Sequence, residues 1–100
     1  MMKPQYKRFF HTLANKTRLE IIYTLRNKEM NVTEIIEATG FKQSSVSHNL
    51  KRLVQCEFVH VRKDGQYRNY SLNKDTMEPL LRTMDTHVNK YCIRACKKCD

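Results

Sequence analysis

Apolar residues recur every three or four positions through the first half of the chain, which is the spacing of one face of an α-helix. Pro4 is suited to the first turn of a helix, and the pattern after it predicts a helix that runs to about Leu13. The same spacing predicts three further helices, over residues 17–27, 31–40 and 43–55. Gly40 is expected to end the third of these four helices, because glycine adopts the left-handed C-cap conformation without strain.

Near residue 58 the period of the pattern changes to two. Residues 58–63 alternate, with Val59 and Val61 on one face, and residues 66–72 resume the alternation. Asp64-Gly65 between them has the composition of a tight turn. The two segments are therefore predicted to form a β-hairpin.

A final helix is predicted to begin at Asp75, because Glu78 follows it at the spacing of a capping box. It is expected to contain Pro79 in its first turn and to run to about Cys96. An apolar stripe follows one face of this helix and consists of Met77, Leu80, Met84, Val88, Tyr91 and Ala95. One terminal helix of a small domain does not need so much apolar surface for its own packing, so a partner helix is expected to cover part of it.

The composition narrows the class of protein. The chain has 100 residues, the size of one domain, and 19 Lys and Arg against 10 Asp and Glu give a net charge of +9. Such a balance favours a polyanionic partner, nucleic acid first. No apolar run is long enough for a membrane span or a signal peptide, so a cytoplasmic protein with no membrane partner is expected. With two glycines and no catalytic spacing, the chain is not expected to be an enzyme.

Two short helices joined by residues 40–42 have the form of a helix-turn-helix, whose second helix would read DNA. The basic hairpin tip, residues 62–68, would form a wing beside it. The predicted fold class is therefore mainly α with a small β-hairpin, a winged helix-turn-helix. The predicted DNA contacts are the polar and basic side chains of these two elements: Gln43, Ser44, Ser45, Ser47, His48, Lys51, Arg52, Arg62, Lys63 and Arg68. The alternative for the three serines is a solvated polar face.

Four segments carry a more specific signal. They are Leu13-Ala14-Asn15-Lys16-Thr17-Arg18-Leu19, Val32-Thr33-Glu34-Ile35, residues 43–53 and residues 65–72. In order and spacing they resemble the ArsR/SmtB family of metalloregulators. The resemblance implies a homodimeric repressor that binds a palindromic operator in double-stranded DNA and leaves it when an inducer binds, with the first and last helices forming the dimer interface. Residues 1–100 would then be a single winged-helix DNA-binding domain with a C-terminal dimerisation helix and a cysteine-rich tail, 92–100.

Three cysteines stand at positions i, i+4 and i+7 near the end of the chain: Cys92, Cys96 and Cys99. In a continuous α-helix they fall within about 60° of one another, so their sulfurs can converge on a cation. Thiolates suit soft or borderline metals and metalloids such as Zn(II), Cd(II), Pb(II), Cu(I) or As(III). One branch of the family builds its sensor from cysteines near the recognition helix and in a C-terminal tail, which implies that Cys56 joins the other three as a metal ligand.

Other interpretations of these residues stay open. The same thiols can form a reversible disulfide between Cys56 and the tail, or a persulfide, in a redox-sensing repressor. The chain can also be a constitutive nucleic-acid-binding protein with a structural zinc. Asp85 and His87 resemble the first half of the family's zinc site on the last helix, but the second half would fall at Lys98 and beyond the last residue. Asp85 is thus predicted either to assist a metal site or to be solvated.

Overall fold

A computed structural model describes residues 1–92 of the chain. Within them, five α-helices and one hairpin follow in the order α1 Pro4–Leu13, α2 Lys16–Asn27, α3 Val32–Thr39, α4 Gln43–Gln55, β1 Val59–Asp64, β2 Tyr67–Leu72 and α5 Lys74–His87. A π-helical turn, Val88–Cys92, continues α5. The predicted order of four helices, a hairpin and a last helix is confirmed. No helix of residues 1–92 is both long and apolar enough to cross a bilayer.

The ends of the central helices are set by local hydrogen bonds. Asn15 caps α2 by accepting from the backbone N–H of Arg18. Asn31 and Glu34 form a capping box at the start of α3, each side chain bonding the other's backbone N–H. Gly40 ends α3 in the left-handed conformation, with φ of 76°. These interactions satisfy backbone groups that a helix end leaves unpaired, and they separate α3 from α4.

The core lies where α2, α3, α4 and α5 pack against the base of the hairpin. Its buried apolar residues are Leu13, Ile21, Ile22, Leu25, Ile35, Val46, Leu50, Leu53, Phe58, Val59, Leu72, Met77 and Leu81. Burial of each large aliphatic side chain contributes about 1.5–3 kcal/mol to folding. This core holds α4 against the molecule by one face and leaves its other face in solvent.

The hairpin differs from its prediction by one residue at the turn. Val59 pairs with Leu72 and Asp64 with Tyr67, so the two turn residues are Gly65-Gln66 rather than Asp64-Gly65. Gly65 has φ of 63°, a conformation that glycine adopts without steric cost. The prediction made Gly65 the second residue of the turn. Because Asp64 pairs with Tyr67 across the hairpin, Gly65 is instead the first turn residue.

The last helix departs from its prediction at both ends. It starts at Lys74, not at Asp75, directly after Asn73, whose backbone N–H donates to the carbonyl of Phe58. Pro79 therefore lies in the second turn. The predicted capping box of Asp75 and Glu78 is wrong, because the carboxylate of Glu78 pairs with Arg26 instead. The α-helix ends at His87, and a π turn follows. The predicted continuous α-helix is wrong over residues 88–92, and its remainder lies outside the described residues.

Candidate nucleic-acid interface

The recognition helix α4 and the hairpin enclose an open cleft of about 830 Å³. Lys51 approaches it from α4, and Lys63 and Arg68, which pair across the hairpin, approach it from the strands. None of the described residues that line the cleft is acidic. Three cations around one groove create a positive potential that attracts a phosphate backbone.

The inner surface of the cleft is less polar. Val54 of α4, Val61 and Tyr70 of the hairpin, and Val32 at the start of α3 all contribute to it. Val61 and Tyr70 are paired residues of one hairpin face, the same face that carries Lys63 and Arg68. The cleft therefore combines cations with an apolar surface. The cations suit the phosphates of a nucleic-acid strand, and the apolar surface suits its sugar rings.

Most of the predicted contact residues on α4 are exposed. These are Gln43, Ser44, Ser47, His48, Lys51 and Arg52. Ser45 is half-buried, and its carbonyl and hydroxyl oxygens both face the amide nitrogen of Asn49, at 2.8 and 3.4 Å. Arg52 lines a second, smaller cleft against α1, away from the hairpin. The structure thus brings Ser47 and Lys51 together with the wing and places Ser45 and Arg52 elsewhere.

Arg62 lies on the opposite side of the wing from Lys63. Its guanidinium donates to the carboxylate of Glu29 at 2.7 Å, an ion pair between β1 and the segment before α3. This hydrogen bond raises the pKa of Arg62. Beside it, Met30 pairs with Tyr70 through two backbone hydrogen bonds of 3.0 and 2.7 Å. Arg62 is therefore paired with a carboxylate and does not line the cleft. The sequence did not predict this ion pair.

The predicted thiol ligands fall in separate parts of the chain. Cys56 is exposed at the C-cap of α4, with its Sγ 3.9 Å from the hydroxyl of Thr12. Cys92 is half-buried at the end of the π turn. Cys96 and Cys99 lie outside the described residues. Within residues 1–92, no three His, Cys, Asp or Glu side chains are close enough together to hold a metal ion.

Asp85 has a structural partner that sequence analysis missed. Its carboxylate lies 2.6 Å from Arg26 of α2 and accepts a hydrogen bond from Tyr23 at 3.1 Å. Arg26 also pairs with Glu78, at 2.9 Å, and its hydrogen bonds hold the pKa of both carboxyls below their usual range. His87 instead packs on the ring of Tyr91. The Asp85 side chain stays 41% exposed, as a solvated residue would be, but its carboxylate is also paired with a protein cation that the sequence did not predict.

Comparison with known proteins gives a consistent result. Residues 15–61 match the family model described as bacterial regulatory protein, arsR family. The chain is 32% identical over 83 residues to the arsenical resistance operon repressor of Staphylococcus aureus, covering 81% of this chain and 80% of that protein. It is 35% identical over 74 residues to a probable mercury resistance operon repressor of Streptomyces lividans, covering 74% of this chain but 59% of that longer protein.

Among solved structures, one neighbour is the homodimeric winged helix-turn-helix DNA-binding domain of a possible ArsR-family transcriptional regulator from Mycobacterium bovis. It matches with a TM-score of 0.80 and 27% identity, covering 88% of this chain and 82% of that one. The predicted winged helix-turn-helix fold is confirmed by this match together with the observed order of helices and hairpin. The two sequence relatives are described as a repressor and a probable repressor, in line with the expectation that this chain is not an enzyme.

Proposed function

The chain belongs to the ArsR family of bacterial regulatory proteins, and on this premise we propose that it is a homodimeric transcriptional repressor released from its DNA operator by a thiol-bound metal or metalloid ion. The observation that carries the DNA-binding part is the cationic cleft between α4 and the wing. Lys51 of α4 and Lys63 and Arg68 of the hairpin, two elements that follow each other in the chain, converge there. A net charge of +9 acts in the same direction over longer distances.

The exposed apolar surface supports a dimer. Tyr6 and Phe10 of α1 are 52% and 63% exposed, and Val88 and Tyr91 after α5 are 46% and 53% exposed. These are residues of the two helices predicted to form the dimer interface. Burying such aromatic surface against a second copy is favourable. The M. bovis neighbour is itself homodimeric, and a two-fold dimer matches a palindromic operator.

The sensing part of the proposal assigns Cys92, Cys96 and Cys99, joined by Cys56, as the ligands. Two observations support it: the spacing of the tail cysteines, and the named relatives, an arsenical resistance operon repressor and a probable mercury resistance operon repressor. Arsenic and mercury are thiophilic, as are the other soft metals that a cysteine set prefers. A bound ion would cross-link the end of α4 to the tail and so couple sensing to DNA binding.

An anaerobic titration of the reduced chain with Zn(II), Cd(II) and arsenite tests the sensing assignment. Ultraviolet sulfur-to-metal charge transfer and a count of reactive thiols report binding. We expect three or four thiols per protomer to be consumed, and fewer in the Cys96→Ser variant. If none of the three ions protects the thiols, the metal assignment fails.

A redox switch is the second candidate, and the exposure of the Cys56 thiol favours it. Mild oxidation of the reduced chain followed by peptide mapping separates the two accounts. A disulfide between Cys56 and a tail cysteine, formed together with loss of DNA binding, supports the redox account. Metal binding that releases DNA from fully reduced protein supports the metal account.

A further inference from the structure

Asn49 is a polar residue buried on the core-facing side of α4, with 8% of its surface exposed. Its neighbours on that side, Val46, Leu50 and Leu53, are fully buried. Aliphatic packing is not directional, so it specifies the rotation of a helix about its own axis only weakly. A buried side chain with directional hydrogen bonds specifies that rotation more strictly.

Both ends of the Asn49 amide are engaged. Its Oδ1 accepts a hydrogen bond from Nε of Arg18 at 3.1 Å, and its Nδ2 donates to the carbonyl of Ser45 at 2.8 Å. Because a guanidinium can only donate, this pairing also determines which end of the amide faces Arg18. The middle of α4 is therefore attached to α2 in one orientation.

Arg18 extends the connection to α1. Its Nη1 donates to the carbonyl of Thr12 at 3.2 Å. Thr12 lies in the last turn of α1, where backbone carbonyls have no partner inside the helix. The backbone N–H of Arg18 is held by the Asn15 cap. One residue thus joins the end of α1, the start of α2 and the middle of α4.

We propose that Arg18 and Asn49 are positioning residues for sequence-specific DNA binding, because together they set the rotation of α4. This inference rests on the proposed function. Side-chain atoms lie about 5–6 Å from the helix axis, so a rotation of about 10° displaces them by about 1 Å. Hydrogen bonds to base edges weaken strongly over that distance, whereas the longer-ranged attraction to phosphates does not. The pair therefore controls discrimination between sequences more than total affinity.

The test compares Arg18→Lys and Asn49→Ala with the wild type and with Arg82→Lys, an exposed replacement on α5 that keeps the same charge. The probes are a duplex selected by the wild-type chain from a randomised library and a scrambled duplex of the same composition. Both test variants should lose about tenfold in affinity for the selected duplex and less than about twofold for the scrambled one, with an unchanged salt dependence. The double variant should be no worse than either single one. Equal losses on the two duplexes, or no loss, would overturn the proposal.

A measurement without DNA separates this inference from the proposed function. The side-chain amide hydrogens of Asn49 should exchange slowly with solvent in wild type and faster in Arg18→Lys, as measured by NMR. If the wild type selects no duplex but the exchange result holds, the repressor proposal fails while the attachment of α4 stands. Equally fast exchange in the two proteins overturns the positioning role, whatever the DNA result.

Discussion

The guanidinium of Arg26 lies 2.6 Å from the carboxylate of Asp85 and fixes the second helix of the chain to the last. Glu78, which also lies on the last helix, pairs with the same guanidinium at 2.9 Å. The cation that Asp85 binds in this chain is thus an arginine from α2. This pairing joins residues 59 positions apart in sequence and adds to the burial of Met77 and Leu81 in holding the last helix on the core.

Removing this cation should weaken the α2–α5 contact in a pH-dependent way. Both carboxyls have a lowered folded pKa, so they contribute stability that is present above their ordinary pKa of about 4 and lost as pH falls through the lower folded value. Arg26→Gln should therefore lower Tm near neutral pH, and the difference from wild type should shrink below about pH 4.

Thermal melts of the two proteins from pH 7 to pH 3 measure that difference. Lys16→Gln removes the same charge from an exposed position of α2 and serves as the control. A Tm difference that stays constant with pH would show that the arginine acts by packing and not by pairing.

Replacing Glu29 with Gln should tighten DNA binding. The change releases Arg62 from its 2.7 Å ion pair and removes a negative charge from the segment beside the wing. One more available cation should steepen the slope of log affinity against log salt by about one. Filter binding or anisotropy over a salt series measures it, and Glu37→Gln, on the exposed side of α3, is the control. If Glu29→Gln weakens binding instead, the ion pair supports the wing in the shape that DNA needs.

Truncating Lys63 should have the opposite effect. Lys63→Ala removes one of the cations that line the cleft, so affinity should fall and the salt slope should become shallower by about one. Lys74→Ala is the control. It removes a positive charge from the first residue of α5, which does not line the cleft. Equal effects of the two variants would show that net charge, rather than the cleft, determines binding.

Features specified by neighbouring residues could be predicted from the sequence, and features specified by packing could not. The Gly40 C-cap and the apolar spacing that predicts α4 both depend on residues within a few positions of one another. The pairs Arg18 with Asn49, and Glu29 with Arg62, join residues 31 and 33 positions apart. Such pairs depend on how the helices and strands pack in space, and a local sequence pattern does not predict that packing.

The same reasoning explains the thiol site. The separation of Cys92, Cys96 and Cys99 predicts convergence only on a continuous α-helix, and of the three only Cys92 lies within residues 1–92, at the end of a π turn. The residue types therefore predict the thiol chemistry, whereas the geometry of the three sulfurs depends on the backbone that joins them.

Replacing Cys96 should separate sensing from DNA binding. Cys96→Ser should bind the selected duplex with wild-type affinity, because the residue belongs neither to α4 nor to the hairpin in sequence. It should show a blunted response to Cd(II) and arsenite. Serine is the matched replacement, since it keeps the size and removes the thiolate. Cys56→Ser tests separately whether the end of α4 contributes a ligand. A normal response in Cys96→Ser would remove that cysteine from the sensor.

The most direct test of the account is fluorescence anisotropy of the selected duplex with anaerobic, fully reduced protein, before and after addition of Cd(II) or arsenite. We expect a saturable complex of one dimer per duplex and a drop in affinity of at least about tenfold with the ion, the size of a typical allosteric coupling. Tight binding that none of the ions changes would contradict release by a thiol-bound ion. The absence of any sequence-specific complex would contradict the repressor assignment itself.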